Sequence, residues 1–230
     1  MLSLNELLAA TLLFVGSHFL LSGTPLRGLL IERLGLRAFR LLYSLIAAVT
    51  LVWMAHAYAA APLIPLWPSL AILKWIPLLV MPFAFILLVG GVTTSSPTAV
   101  GAEAVALAAE PAPGILRITR HPFRWGTALW ALSHLIALAD LASLILTGGI
   151  LVLSLFGMRQ IDRKREALLG AGWGPIKLTT SILPFSAIAQ KRTQMDWAGL
   201  GWWRIALGLG LDLLFLVLHP LVFGVSPLPW

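Results

Sequence analysis

The chain has 230 residues, of which 59% are hydrophobic and only 11% charged, with a formal charge of +7 and a mean hydropathy of +0.93. A soluble domain averages roughly 25% charged residues, so this composition excludes an ordinary water-soluble protein. Cysteine is absent, which excludes disulfides, thiolate-bound zinc, cysteine-ligated iron–sulfur clusters and cysteine nucleophiles together.

A membrane-crossing helix needs about 20 largely apolar residues. Six stretches meet that requirement: 4–21, 38–59, 70–92, 123–139, 141–158 and 202–222. The expected fold is therefore an all-α, polytopic membrane bundle of about six helices, in a single domain over residues 1–230. The first stretch lacks the basic start of a signal peptide and carries Glu6. The third holds Lys74, Pro77 and Pro82, which predicts a kink. Between the spans, two polar segments stand out, 93–119 and 159–200. A short helix is expected at 102–109 in the first. A helical extension of the fifth span is expected at the start of the second, through Arg159, Asp162, Arg163, Lys164, Arg165 and Glu166.

Arginine and lysine set the orientation. With the N-terminus outside, the loops after spans one, three and five, counting residues at the span ends, hold every arginine and lysine except Lys74. That asymmetry is a positive-inside pattern, and it predicts both termini on the outer face of the membrane. The basic charge is thereby read as topology, with membrane lipid and not nucleic acid as the surrounding partner.

With cysteine absent and acids few, the five histidines carry most of the chemical information. A helix rises 1.5 Å per residue. His18 is nine residues before Arg27, and His134 ten residues beyond Arg124, which puts both roughly 13–15 Å deep on different helices if each helix is continuous. Two imidazoles at one depth suit axial ligation of haem b, each giving one neutral nitrogen to the iron. Phe14 and Trp130, one turn before the respective histidines, are candidates to pack on the porphyrin. Arg27, Arg120 and Arg124 are candidates for its propionates. The competing reading is a histidine hydrogen-bonded between helices. His56 and His219 fall toward the outer face, where hydration is cheap, although His219 precedes Pro220. His121 sits at the cytoplasmic boundary. Asp212, eight residues past Arg204 in an apolar helix, must be protonated or paired. It is either a hydrogen-bond partner of a ligating histidine or a polar contact between helices.

The segment from Ile118 through Arg120, His121, Pro122, Phe123, Arg124, Trp125 and Gly126 to Trp130, Ser133 and His134 resembles the NnrU family of bacterial inner-membrane proteins. Gly16-Ser17-His18-Phe19, Thr24-Pro25-Leu26-Arg27, Ile161-Asp162, Thr180-Ser181-Ile182-Leu183-Pro184-Phe185 and His219-Pro220-Leu221-Val222-Phe223-Gly224 extend that resemblance along the chain. The family is linked to denitrification, particularly nitrite and nitric oxide reduction. It is similar in turn to plant 15-cis-ζ-carotene isomerase, a haem b membrane enzyme with an Arg-His-Pro motif and a second histidine thirteen residues on. The resemblance implies His18 and His134 as axial ligands, a redox or isomerase-type activity, and a lipophilic or nitrogen-oxide substrate. One departure is Ala131, where the isomerase carries a cysteine thought to take part in ligand exchange.

A rival resemblance runs through Arg120-His121-Pro122 and Gly126 to isoprenylcysteine and phospholipid methyltransferases, with Glu166, Gly172-Trp173 and Pro184 as partial echoes. It implies an S-adenosylmethionine site at Arg120 and His121, with Glu166 assisting the acceptor. A third possibility is a non-catalytic assembly or regulatory factor for nitrogen-oxide reductases. There Arg-His-Pro would be a helix start, since the residue before proline is biased away from helix.

Overall fold

A computed structural model describes residues 2–68, 70–99, 105, 110 and 112–229. The helix expected at 102–109 lies, apart from Val105, outside the described residues. The described chain is all helical, with ten α-helices: α1 (Leu2–Gly23), α2 (Leu26–Ala59), α3 (Trp75–Thr93), α4 (Ile115–Ile118), α5 (Pro122–Leu138), α6 (Leu141–Leu169), α7 (Gly174–Thr179), α8 (Ser186–Ala189), α9 (Trp197–Leu200) and α10 (Trp202–Phe223). Among the described residues, α1, α2, α3, α6 and α10 are long and apolar enough to cross a membrane. The expected span at 123–139 is the 17-residue α5, at the lower edge of a crossing length.

The chain forms two compact units, one of residues 1–70 with 134–153 and one of residues 71–133 with 154–230. In the first, Leu7, Ala10 and Phe14 of α1, Met54 and Ala57 of α2, and Ala142 and Leu153 of α6 form the core. Small residues bring these backbones together, as membrane helices require where hydrophobic exclusion from water does not drive packing. A Cβ on Gly149 would overlap the Thr11 side chain. At one end Asp140 caps α6, accepting from the Ser143 backbone N–H at 3.0 Å and the Ser143 hydroxyl at 2.5 Å. The Tyr58 hydroxyl lies 3.0 Å from that of Ser143.

A proline and a glycine leave different marks on the long helices. α3 remains one helix through Pro82, whereas α2 departs from helical dihedrals at Gly35, with φ +78° and ψ 157°. Glycine admits that conformation because it has no Cβ to clash.

In the second unit, α3 and α10 run antiparallel. Arg204 at the start of α10 donates to the hydroxyl and carbonyl of Thr93 at the end of α3. At the opposite ends, Lys74 donates to the carbonyls of Ser226 and Leu228. Gly208 of α10 lies against the backbone of Ile86, and Gly91 of α3 against that of Phe123. α6 continues well past the apolar stretch to Leu169, so the charged sequence from Arg159 is a helical extension, as its pattern predicts. After it come a short 3-10 turn, α7, and an irregular chain through Pro184.

Candidate functional site

In the first unit His18 sits on α1, half-buried. Its Nδ1–H donates to the Phe14 carbonyl one turn back at 2.7 Å. The imidazole lies 4.5 Å from the Phe14 ring and 5.4 Å, edge-on, from Tyr43 of α2. Tyr43 in turn stacks on Phe39, over which the Arg27 guanidinium rests at 5.8 Å. An aromatic ladder therefore runs from the histidine to a cation, and Tyr43 and Phe39 are members that sequence reasoning did not identify. Their spacing from each other, one helical turn, is the signal that was available.

His134 belongs to the same unit, half-buried near the end of α5. Its depth, counted along a continuous α5, stands as expected. The depth of His18 does not, because α1 stops at Gly23 and Arg27 belongs to α2. Counting only to the helix end leaves His18 about 8 Å from it. Equal depth therefore does not pair these residues, which share only their membership of one unit. Among the described residues, no cluster of three or more His, Asp or Glu side chains could hold a metal ion. A pair of imidazoles is a smaller set than that.

The second unit holds the densest polar cluster, built around Arg120 and His121. Thr119 is extended, and the Ile118–Arg120 stretch pairs like a strand with the Ser181–Phe185 chain. Arg120 N–H donates to Ser181, Phe185 N–H to Ile118, and the Thr119 hydroxyl to Ile182 at 2.7 Å. The Trp125 indole also donates to Ile182, at 2.7 Å. Two motifs some sixty residues apart thus form one support.

That support aims both side chains at Asp162 on the α6 extension. Arg120 Nη1 meets Oδ2 at 3.1 Å, and His121 Nε2–H meets Oδ1 at 2.8 Å. The Arg120 Nη2 donates to the Thr180 carbonyl at 3.2 Å. His121 is only 3% exposed. Burial pushes its pKa below the ordinary 6.5, against the opposing pull of Asp162. Burial also lowers that of Arg120, again opposed by Asp162. The imidazole is therefore neutral at pH 7, donating to a carboxylate that arginine already neutralises. Asp162 is the residue that holds this cluster together. As part of Ile161-Asp162 it was visible as a motif, but nothing in the sequence said which side chains it would meet.

The remaining candidates are dispersed. Trp130, Arg124 and Asp212 belong to the second unit, and Arg124 packs against Gly157, where a Cβ would press on its guanidinium. His56 is exposed at the end of α2. His219 donates to the Val225 carbonyl at 2.9 Å. Glu166 pairs at the surface with Lys177 at 2.8 Å.

Comparison with known proteins gives this arrangement a context. The family model for NnrU protein matches residues 6–227. The chain belongs to the NnrU family. It is also similar to the chloroplastic 15-cis-zeta-carotene isomerases of Zea mays and Arabidopsis thaliana. They are 33% identical over 82 residues and 35% identical over 79, or 36% and 34% of this chain. The match covers 22% of the length of each isomerase. No solved structure matches this NnrU family member.

Proposed function

We propose that this NnrU protein is a haem b-binding, multi-pass protein of the bacterial inner membrane, with redox or isomerase-type activity. The observation that carries the reading is the state of His18. Its Nδ1–H donates to the Phe14 carbonyl, the kind of supporting bond that orients a ligating imidazole. His134, in the same unit, is the second proposed ligand. Phe14, buried against the core, gives the apolar contact a porphyrin needs, and Arg27 is the cation of that unit set beside the ladder. Arg120, held by Asp162 and Thr180, takes no part in this reading.

Haem, when bound, supplies an iron that exchanges one electron between its ferrous and ferric states. This chain's own residues would hold it and exclude water, since the α1, α2 and α6 core is apolar. The isomerase names of the two relatives support a lipophilic polyene as substrate. The family's link to denitrification supports a nitrogen-oxide substrate or a reductase partner instead.

The topology belongs to the same proposal. α5 is taken as a sixth crossing, with both termini periplasmic and the Arg120–Asp162 cluster on the cytoplasmic side. Haem content per chain after expression with added haem precursor tests the cofactor. One haem per chain, falling to none in His18→Ala and in His134→Ala, is the expected result, and an unchanged haem content in both variants overturns it.

A further inference from the structure

The polar cluster of the second unit has donors to spare. Arg120 uses both Nη groups, but its Nε–H is buried with no acceptor in reach among the described residues. The same holds for the indole N–H of Trp173, a residue 1% exposed whose ring centre lies 5.9 Å from the Arg120 guanidinium carbon. A buried N–H without an acceptor is costly, and folded proteins rarely leave one so. Two on adjoining side chains call for a shared explanation.

Charge points the same way. The Thr180 carbonyl that accepts Arg120 Nη2 also accepts Arg192 Nη1, at 3.1 Å. Two guanidinium groups therefore converge on one neutral oxygen. The carboxylate beside them, Asp162, is divided between Arg120 and His121. Cation density exceeds anion density here, and burial makes that imbalance costly. A cleft of about 560 Å³ adjoins Arg192, which lines it with Arg117, Thr179, Thr193, Gln194, Glu110 and Ala112.

We propose that Arg120, Arg192 and the Trp173 indole N–H form a binding site for a phosphate group, entered from this cleft past Thr179 and Thr193. A tetrahedral oxyanion accepts single donors from several directions. A planar carboxylate favours the two-pronged face of a guanidinium, and the Arg120 Nη groups are already occupied. Phosphate reaches the site either on a phospholipid headgroup or as the free anion. The inference is independent of haem, because none of these residues belongs to the first unit.

The test uses the full chain in detergent. Inorganic phosphate is titrated by calorimetry, and phosphatidylglycerol retained from phosphatidylcholine–phosphatidylglycerol vesicles is measured by native mass spectrometry. Trp173→Phe removes the N–H and keeps the ring. Arg192→Gln removes the charge. Thr193→Val, at the cleft, leaves the buried cluster intact should either of the others fold poorly. If free phosphate is the ligand, a saturable isotherm weakens about tenfold in Trp173→Phe, as for loss of one charge-assisted hydrogen bond. If the headgroup is the ligand, inorganic phosphate gives no isotherm, and retained phosphatidylglycerol falls in the variants. Binding of neither probe, or equal binding by wild type and all three variants, overturns the proposal. So does a rise in the melting temperature of Trp173→Phe in phosphate buffer, which would mean that the indole N–H was only a burden.

Discussion

His18 and His121 are the same side chain put to opposite uses. His18, in the first unit, is half-buried among aromatic rings, and its Nδ1–H is held by the Phe14 carbonyl one turn back. His121, in the second, is sealed from solvent and tied to Asp162, in a cluster where arginine, carboxylate and backbone carbonyls satisfy one another. The first environment suits a ligand to something brought from outside. The second suits architecture, and it is the part of the molecule least able to lose a partner. The difference teaches that motif membership and chemical availability are separate properties. The Arg-His-Pro segment carries the family resemblance most densely, yet its histidine is the less available of the two.

The contrast can be broken most sharply at Asp162. Asp162→Ala leaves Arg120 and His121 buried without their carboxylate, and removal of one partner from a buried ion pair costs about 3–5 kcal/mol. The expected result in a thermal melt is a loss of the cooperative transition or a fall of many degrees. His18→Ala, measured alongside, should leave the melting temperature nearly unchanged in haem-free protein. Equal effects of the two substitutions would erase the distinction.

Gly114→Ala comes next. Gly114 has φ +55°, and a Cβ there would meet the backbone of Gly199, while its N–H is held by Asp196 at 2.7 Å. Backbone strain of about 1–3 kcal/mol, before the overlap is relieved, should lower the melting temperature clearly. A neutral outcome would show that the α4–α9 contact is not fixed as described.

The pH dependence of the second unit follows from His121. Its folded-state pKa lies below the unfolded 6.5, so the unfolded chain binds the extra proton first. Stability from burying neutral imidazole is full above about 6.5 and is lost as pH falls through the depressed folded value. Melting temperatures between pH 7.5 and 5 should decline, and His121→Gln should flatten the slope. A flat wild-type profile would remove the burial argument. The smallest effect is expected of Arg27→Ala, where an exposed cation–π contact with Phe39 contributes about 0.5–1 kcal/mol.

The helical membrane fold was legible from apolar run length alone, since long apolar runs have few other solutions. The breaks were not. Pro82 sits within a continuous helix, and Gly35 interrupts one that carries arginines instead of a loop. The five histidines were legible as candidates because the composition leaves few other polar groups. Counting rise per residue applies only where one helix spans the interval, as between Arg124 and His134. Across the Thr24–Pro25 turn the same arithmetic fails for His18. Asp162 was harder to assign, because its partners arrive through the pairing of 118–120 with 181–185, a tertiary contact that no local pattern announces. Trp173 looked like part of a methyltransferase echo. Its meaning lies in a buried N–H, which only the packed chain reveals.

The central claim is that the available histidines, not the buried one, hold a cofactor. Visible absorption of the purified protein from haem-supplied cells tests it most directly, in wild type and in His18→Ala, His134→Ala and His121→Gln. The account predicts a Soret band with split low-spin bands on reduction, lost in the first two variants and kept in the third. Colourless wild-type protein, or a Soret band that survives both alanine substitutions, would contradict it.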